Sequence, residues 1–127
     1  MTEKKSQFKF ETYKILKSEI EIADFNNVSP NINIEFSKEE NQEEDNQFNL
    51  ILTCSITDEN QSLKVYVKAM GVFEFDSHIN ESILKIFFKT NAPAILFPYV
   101  RAYISSLTAL SGISPIIIPT LNLSDRQ

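Results

Sequence analysis

From Phe8 to Ala23, Phe8, Phe10, Leu16, Ile20 and Ile22 fall on one parity, and Lys9, Glu11, Lys17, Glu19 and Glu21 on the other. Successive side chains of a strand point to opposite faces, so this alternation predicts a long half-buried strand. A short second strand is predicted after Pro30, with Ile32, Ile34 and Phe36 on one face. Proline suits a strand start because its missing N–H needs no partner there. Residues 37–47 include no apolar side chain and read as a solvated acidic loop. The loop lacks the interleaved Asp pattern and glycine of a calcium site, so no metal is expected in it.

Two further alternating runs make the clearest pair. Phe48, Leu50, Leu52, Cys54 and Ile56 alternate with Asn49, Ile51, Thr53, Ser55 and Thr57. After Asp58-Glu59-Asn60-Gln61 the pattern resumes with Leu63, Val65, Val67, Ala69, Gly71, Phe73 and Phe75. Amphipathic runs joined by a short polar turn predict a hairpin, hence an antiparallel sheet with one apolar and one mixed face. The period then becomes helical. Ser77 or Asn80 is placed to cap a first helix bearing Ile83, Leu84, Ile86, Phe87 and Phe88 before Pro93. A second helix, from about Ala94 to Ser111, carries Ile95, Leu96, Tyr99, Val100, Tyr103, Ile104, Leu107 and Leu110 as an apolar stripe. Gly112 stands at a left-handed C-terminal cap, and Pro115 and Pro119 keep the tail around Ile116-Ile117-Ile118 extended. The whole is a single α+β domain over 1–127, with strands at about 8–75, helices at about 79–111 and a tail at 112–127.

A chain of 127 residues, 43% of them apolar, has room for one ordinary core. Seventeen acids against twelve bases give a net charge of -5, against the basic surface of a nucleic-acid binder. The one cysteine, Cys54, has no internal partner, which favours a reducing compartment. No apolar stretch follows Lys4 and Lys5, so a signal peptide is not expected and the cytoplasm is the expected location.

Between Asn91 and Ser124 the single charged residue is Arg101. A membrane span is disfavoured by two prolines, by Ser105, Ser106 and Thr108, and by the arginine, which costs at least about 2.5–3.5 kcal/mol at mid-bilayer. Helices this apolar have too little sheet to hide behind in a small domain. An oligomer with helices buried between subunits is therefore expected.

Asn91-Ala92-Pro93-x-Ile95-Leu96-Phe97-Pro98-Tyr99-x-Arg101 resembles the signature at the start of the second helix of the SecB family of bacterial export chaperones. The likeness continues in Lys14 to Ile20, in Pro30-x-Ile32-x-Ile34-x-Phe36, in Val67 to Phe73, and in Ser114-Pro115 through Leu121-Asn122-Leu123. It implies a four-stranded antiparallel sheet of Greek-key type, two C-terminal helices, and a homotetramer built as a dimer of dimers. Val65, Val67, Ile95, Tyr99, Tyr103 and Leu107 are the candidate interface residues. It also implies that unfolded clients lie in apolar grooves, with Ile34 and Phe36 matching client-contacting leucines of the second strand. Val28 matches an aromatic position of the family two residues before the strand-two proline. The resemblance further implies an acidic patch for the motor SecA on the outer sheet face. Glu19 matches one acid of that patch; Ala23 replaces a second, with Asp24 adjacent, and Lys64 and Tyr66 replace a leucine and another acid. Those exchanges weaken attraction to a basic partner. The sequence also ends at Gln127, before the family's final helix and acidic tail.

Holding an unfolded chain requires adaptable apolar area rather than bond chemistry. Ile32, Ile34, Phe36, Ile113, Ile116, Ile117 and Ile118 are the candidate client-binding residues. With one histidine, one cysteine and two glycines, neither a phosphate-cradling loop nor a zinc site can be written. No catalytic residue, cofactor or metal is expected, and Cys54 reads as an inert core thiol. The expected function is an ATP-independent holding chaperone. Its clients are export preproteins or one dedicated antitoxin of a toxin–antitoxin system; a purely structural oligomerisation module is the alternative of another class.

Overall fold

The computed structural model describes residues 8–43 and 46–119. Strands β1 (Phe8–Ile22), β2 (Ile32–Glu43), β3 (Gln47–Asp58) and β4 (Leu63–Phe75) form one antiparallel sheet in the order β1-β4-β3-β2. The last three make a meander. A crossover containing a 3-10 turn at Phe25–Asn27 carries the chain from β1 to the opposite edge, completing the Greek-key order. Helices α1 (Glu81–Ile86) and α2 (Ala92–Leu110) follow the sheet, and α2 covers one face.

The second strand corrects the predicted loop at 37–47. β2 continues through Ser37 to Glu43, opposite β3 from Thr53 to Gln47. An edge strand can be held by backbone hydrogen bonds to an apolar neighbour while its own side chains stay polar, which also discourages pairing with another chain. Asn46, at φ 60°, turns the chain into β3.

β1 departs from simple alternation at two bulges, where Glu11 and Leu16 have no cross-strand partner. Each extra residue reverses the parity. Phe10 lies opposite Phe73, but Tyr13 and Ile15 then take the inward positions opposite Gly71 and Ala69, and Ser18, Ile20 and Ile22 follow after the second bulge. Leu16, expected on the core face, is 47% exposed.

The two predicted helices are nearly continuous. Asn80 caps α1, its side chain accepting from the Ser82 N–H at 2.7 Å. Phe87–Asn91 then forms a π-helical turn where Pro93 was expected to impose a break. The wider turn accommodates the proline's missing donor without ending the helix. Gly112, at φ 96°, closes α2 as the left-handed cap.

Phe48, Leu50, Leu52, Cys54 and Ile56 of β3 and Val65, Val67, Ala69 and Phe73 of β4 are buried with Leu96, Phe97, Val100 and Ile104 of α2. A Cβ on Gly71 would lie 2.9 Å from Phe73 Cε2 and 3.3 Å from Leu96 Cδ2, so the bare backbone lets α2 settle there. The tail folds back on α2. Ser105 Oγ donates to the Ile116 carbonyl at 2.8 Å, and the Ile116 N–H donates to Thr108 Oγ1 at 2.9 Å. The Leu121-Asn122-Leu123 match and the expectation for the N-terminal segment lie outside the described residues.

Candidate functional site

The crossover after β1 is pinned to the β3–β4 turn by Asp58, which is only 2% exposed. Its carboxylate accepts from the N–H groups of Ser62 at 2.7 Å, Leu63 at 2.9 Å and Ser29 at 2.9 Å. Burial pushes its pKa up, but the backbone donors of Ser29, Leu63 and Ser62 outweigh it and hold the carboxyl below its ordinary value. Asn60 Nδ2 donates to the Asn27 carbonyl and Asn31 Nδ2 to Glu59 Oε2, both at 2.9 Å. A rigid rim results.

Between this rim and the turn from α2 into the tail lies a groove of about 550 Å³, lined by Phe25, Val28, Pro30, Ile32, Ile113 and Ile116 among others. Phe25 is 57% exposed, so much of its ring is open to a partner. Below the groove, Ile32, Ile34 and Phe36 lie half-buried on the helix-side face of β2. The Phe36 ring meets Phe97 edge-on at 5.4 Å between centroids.

Of the isoleucines read as client-binding, Ile113 is half-buried in the groove wall and Ile117 is 70% exposed. Ile116 and Ile118, at 8% and 0% exposure, are core residues of the subunit. The hydrogen bonds that fold the tail onto α2 turn these two inward, and Ile116 contributes only an edge to the groove.

The candidate interface set divides similarly. Ile95, Tyr99, Tyr103 and Leu107 recur every four residues along α2 and are only partly covered. Tyr99 packs on Tyr13 at 4.4 Å and Phe10 at 5.6 Å between centroids yet stays 40% exposed. Val65 and Val67 are sealed beneath α2 at 2% and 0% and offer no free surface in the subunit, because inward positions of a central strand face the helix.

On the other face of the sheet, Glu19 lies opposite Tyr66, and Lys64 opposite Glu21. Lys17 Nζ stands 3.2 Å from Glu19 and 5.5 Å from the Tyr66 ring centroid. Asp24 sits apart from this group. It caps the crossover turn, accepting from the Asn26 N–H at 3.0 Å.

Burial pushes the Cys54 thiol up to about 12, which keeps it protonated and unreactive. His78 is exposed just after β4. Among the described residues no three His, Cys, Asp or Glu side chains are grouped to hold a metal, and no helix is long and apolar enough to cross a membrane.

Two residues, one in the groove and one in its rim, escaped the sequence pattern. Phe25 stands in the polar run Asp24-Phe25-Asn26-Asn27, and an isolated aromatic in such a turn was the available signal. Asp58 resembled any other acid of a polar turn; only its amide partners distinguish it.

The SecB family model, described as preprotein translocase subunit SecB, matches residues 13–125. An uncharacterized protein of Methanocaldococcus jannaschii is 39% identical over 74% of this chain and 63% of its own length. The protein-export protein SecB of Saccharophagus degradans is 28% identical over 73% of this chain and 57% of its own length. The chain thus spans about three fifths of these relatives. In fold it is similar to the SecB-like chaperone Rv1957 of Mycobacterium tuberculosis, solved in complex with a ChAD peptide from the HigA1 antitoxin. The TM-score is 0.76 at 16% identity, covering 91% of this chain and 88% of the other. With the family match running through all four strands and both helices, this chain belongs to the SecB family.

Proposed function

We propose that this protein is an ATP-independent holding chaperone that receives apolar segments of unfolded clients in the groove beside β2. The observation that carries the proposal is the exposed Phe25 ring on a hydrogen-bonded rim, in an open groove that it lines together with Ile32 and Ile113. Such a surface gains about 25 cal/mol for each Å² of apolar client it covers, with little demand on sequence. Ile34, Phe36 and Ile117 extend the apolar area. The working form is a cytoplasmic homotetramer in which the Ile95–Leu107 stripe of α2 is covered by neighbouring subunits, and several grooves on one particle add avidity for one long client. Light scattering is expected to give a tetramer mass; a monomer at micromolar concentration contradicts this assembly.

A dedicated antitoxin client is the second reading, favoured by the fold likeness to a chaperone solved with an antitoxin peptide. The outer face supports it too, since Lys17 and Lys64 stand among the acids that a basic motor such as SecA would need. The deciding assay is aggregation of an unrelated unfolded protein without ATP. Suppression near one-to-one stoichiometry supports general holding, while no suppression at any ratio removes it in favour of a dedicated client. A titration with SecA then separates export from other uses, and tight binding would overturn the argument from the outer face.

A further inference from the structure

The apolar side of β2 does not end in more apolar surface. Past Phe36, the next helix-side position is Lys38, opposite Leu52, whose side chain is only 15% exposed. Its ammonium donates to the Lys89 carbonyl at 3.1 Å and lies 3.9 Å from Glu40. Lys38, Glu40, Lys85, Phe88 and Lys89 together line a second hollow of about 470 Å³. Three lysines thus line the hollow with one glutamate. Lys85 and Lys89 are exposed and make no ion pair among the described residues.

Lys85 and Lys89 are four residues apart on the same helical run, where like charges repel. A chain with seventeen acids had ample material to neutralise them. The aliphatic stem of Lys38 lies along apolar β3 while its charged head reaches the hollow. From Ile32 to Lys38 an extended strand covers about 20 Å. An extended client of about six residues would match the length from Ile32 to Lys38.

We propose that the lysine hollow selects clients in which an acidic run adjoins the apolar segment, so that the groove reads an apolar-then-acidic pattern rather than hydrophobicity alone. This rests on the groove reading above and adds the class of client. The acidic residues are held by solvent-accessible ion pairs, which act on affinity modestly and fade with salt.

The test uses the full-length protein and labelled peptides with an apolar core of about six residues, the length that spans Ile32 to Lys38. The core is flanked at its N-terminal or C-terminal end by a run of either glutamate or glutamine. Fluorescence anisotropy is expected to show at least one glutamate peptide binding about three- to tenfold more tightly than its glutamine twin, the yield of one or two exposed ion pairs. The preference is expected to vanish in high salt and in the Lys85→Glu/Lys89→Glu variant, with the affinity for glutamine peptides retained. Equal binding of all peptides by the wild-type protein overturns the acidic preference and leaves the apolar groove standing. Failure of every peptide to bind overturns the groove reading and this inference with it.

Discussion

Replacing Phe25 with alanine separates the groove from the fold. The ring is 57% exposed, so more than half of its area is free for a client. A phenylalanine side chain has about 200 Å² to bury, leaving about 110 Å² uncovered here. At about 25 cal/mol per Å², complete coverage would be worth about 2.8 kcal/mol, a hundredfold in affinity. Partial coverage and the remaining alanine methyl halve this to about 1.4 kcal/mol, so Phe25→Ala is expected to weaken client binding about tenfold. The subunit itself loses little, because the rim is held by the Asp58, Asn60 and Asn31 hydrogen bonds rather than by the ring. The assay is anisotropy of a labelled unfolded client with the wild-type and variant proteins, beside a urea denaturation curve of each. A variant that folds normally and binds within twofold of wild type would refute the assignment of Phe25 to the client surface.

Three further outcomes test the structural account. Gly71→Ala puts a methyl 2.9 Å from the ring of Phe73, which is packed against Phe48 and Phe87, and should cost about 1–3 kcal/mol in a urea titration. Cys54, its pKa raised by burial to about 12, is expected to resist iodoacetamide at neutral pH in the native protein and to react readily in denaturant. Asp58 has a folded pKa held below its ordinary value, so its contribution to stability is complete above about pH 3.9 and is lost as pH falls through the folded value. Circular dichroism is expected to show Asp58→Asn lowering the thermal midpoint at neutral pH and flattening the stability loss in acid.

Sequence and structure agree where burial imposed a period. The alternation from Phe48 to Phe75 located the hairpin because inward positions of β3 and β4 lie under α2, and a slip of one residue would expose them all. The Asn91–Arg101 signature likewise identified the family, although its tyrosine and isoleucine lie on α2 rather than in the groove. Boundaries were less legible. Pro93 suggested two separate helices, because sequence rules treat the proline as a stop and say nothing of a π turn ahead of it.

The sequence by itself determined the antiparallel hairpin, the apolar helical stretch, the left-handed cap at Gly112 and the family. Each depends on local periodicity, on one backbone requirement or on a contiguous motif. Tertiary structure alone decided that β2 runs on to Glu43, that two bulges carry Tyr13 and Ile15 to the core side of β1, and that Ile116 and Ile118 are buried while Phe25 is not. These depend on long-range partners: the backbone of β3, the register against β4, and the hydroxyls of Ser105 and Thr108. Hydropathy records what a residue gains by burial, but only the distant segment that covers it settles whether it is buried.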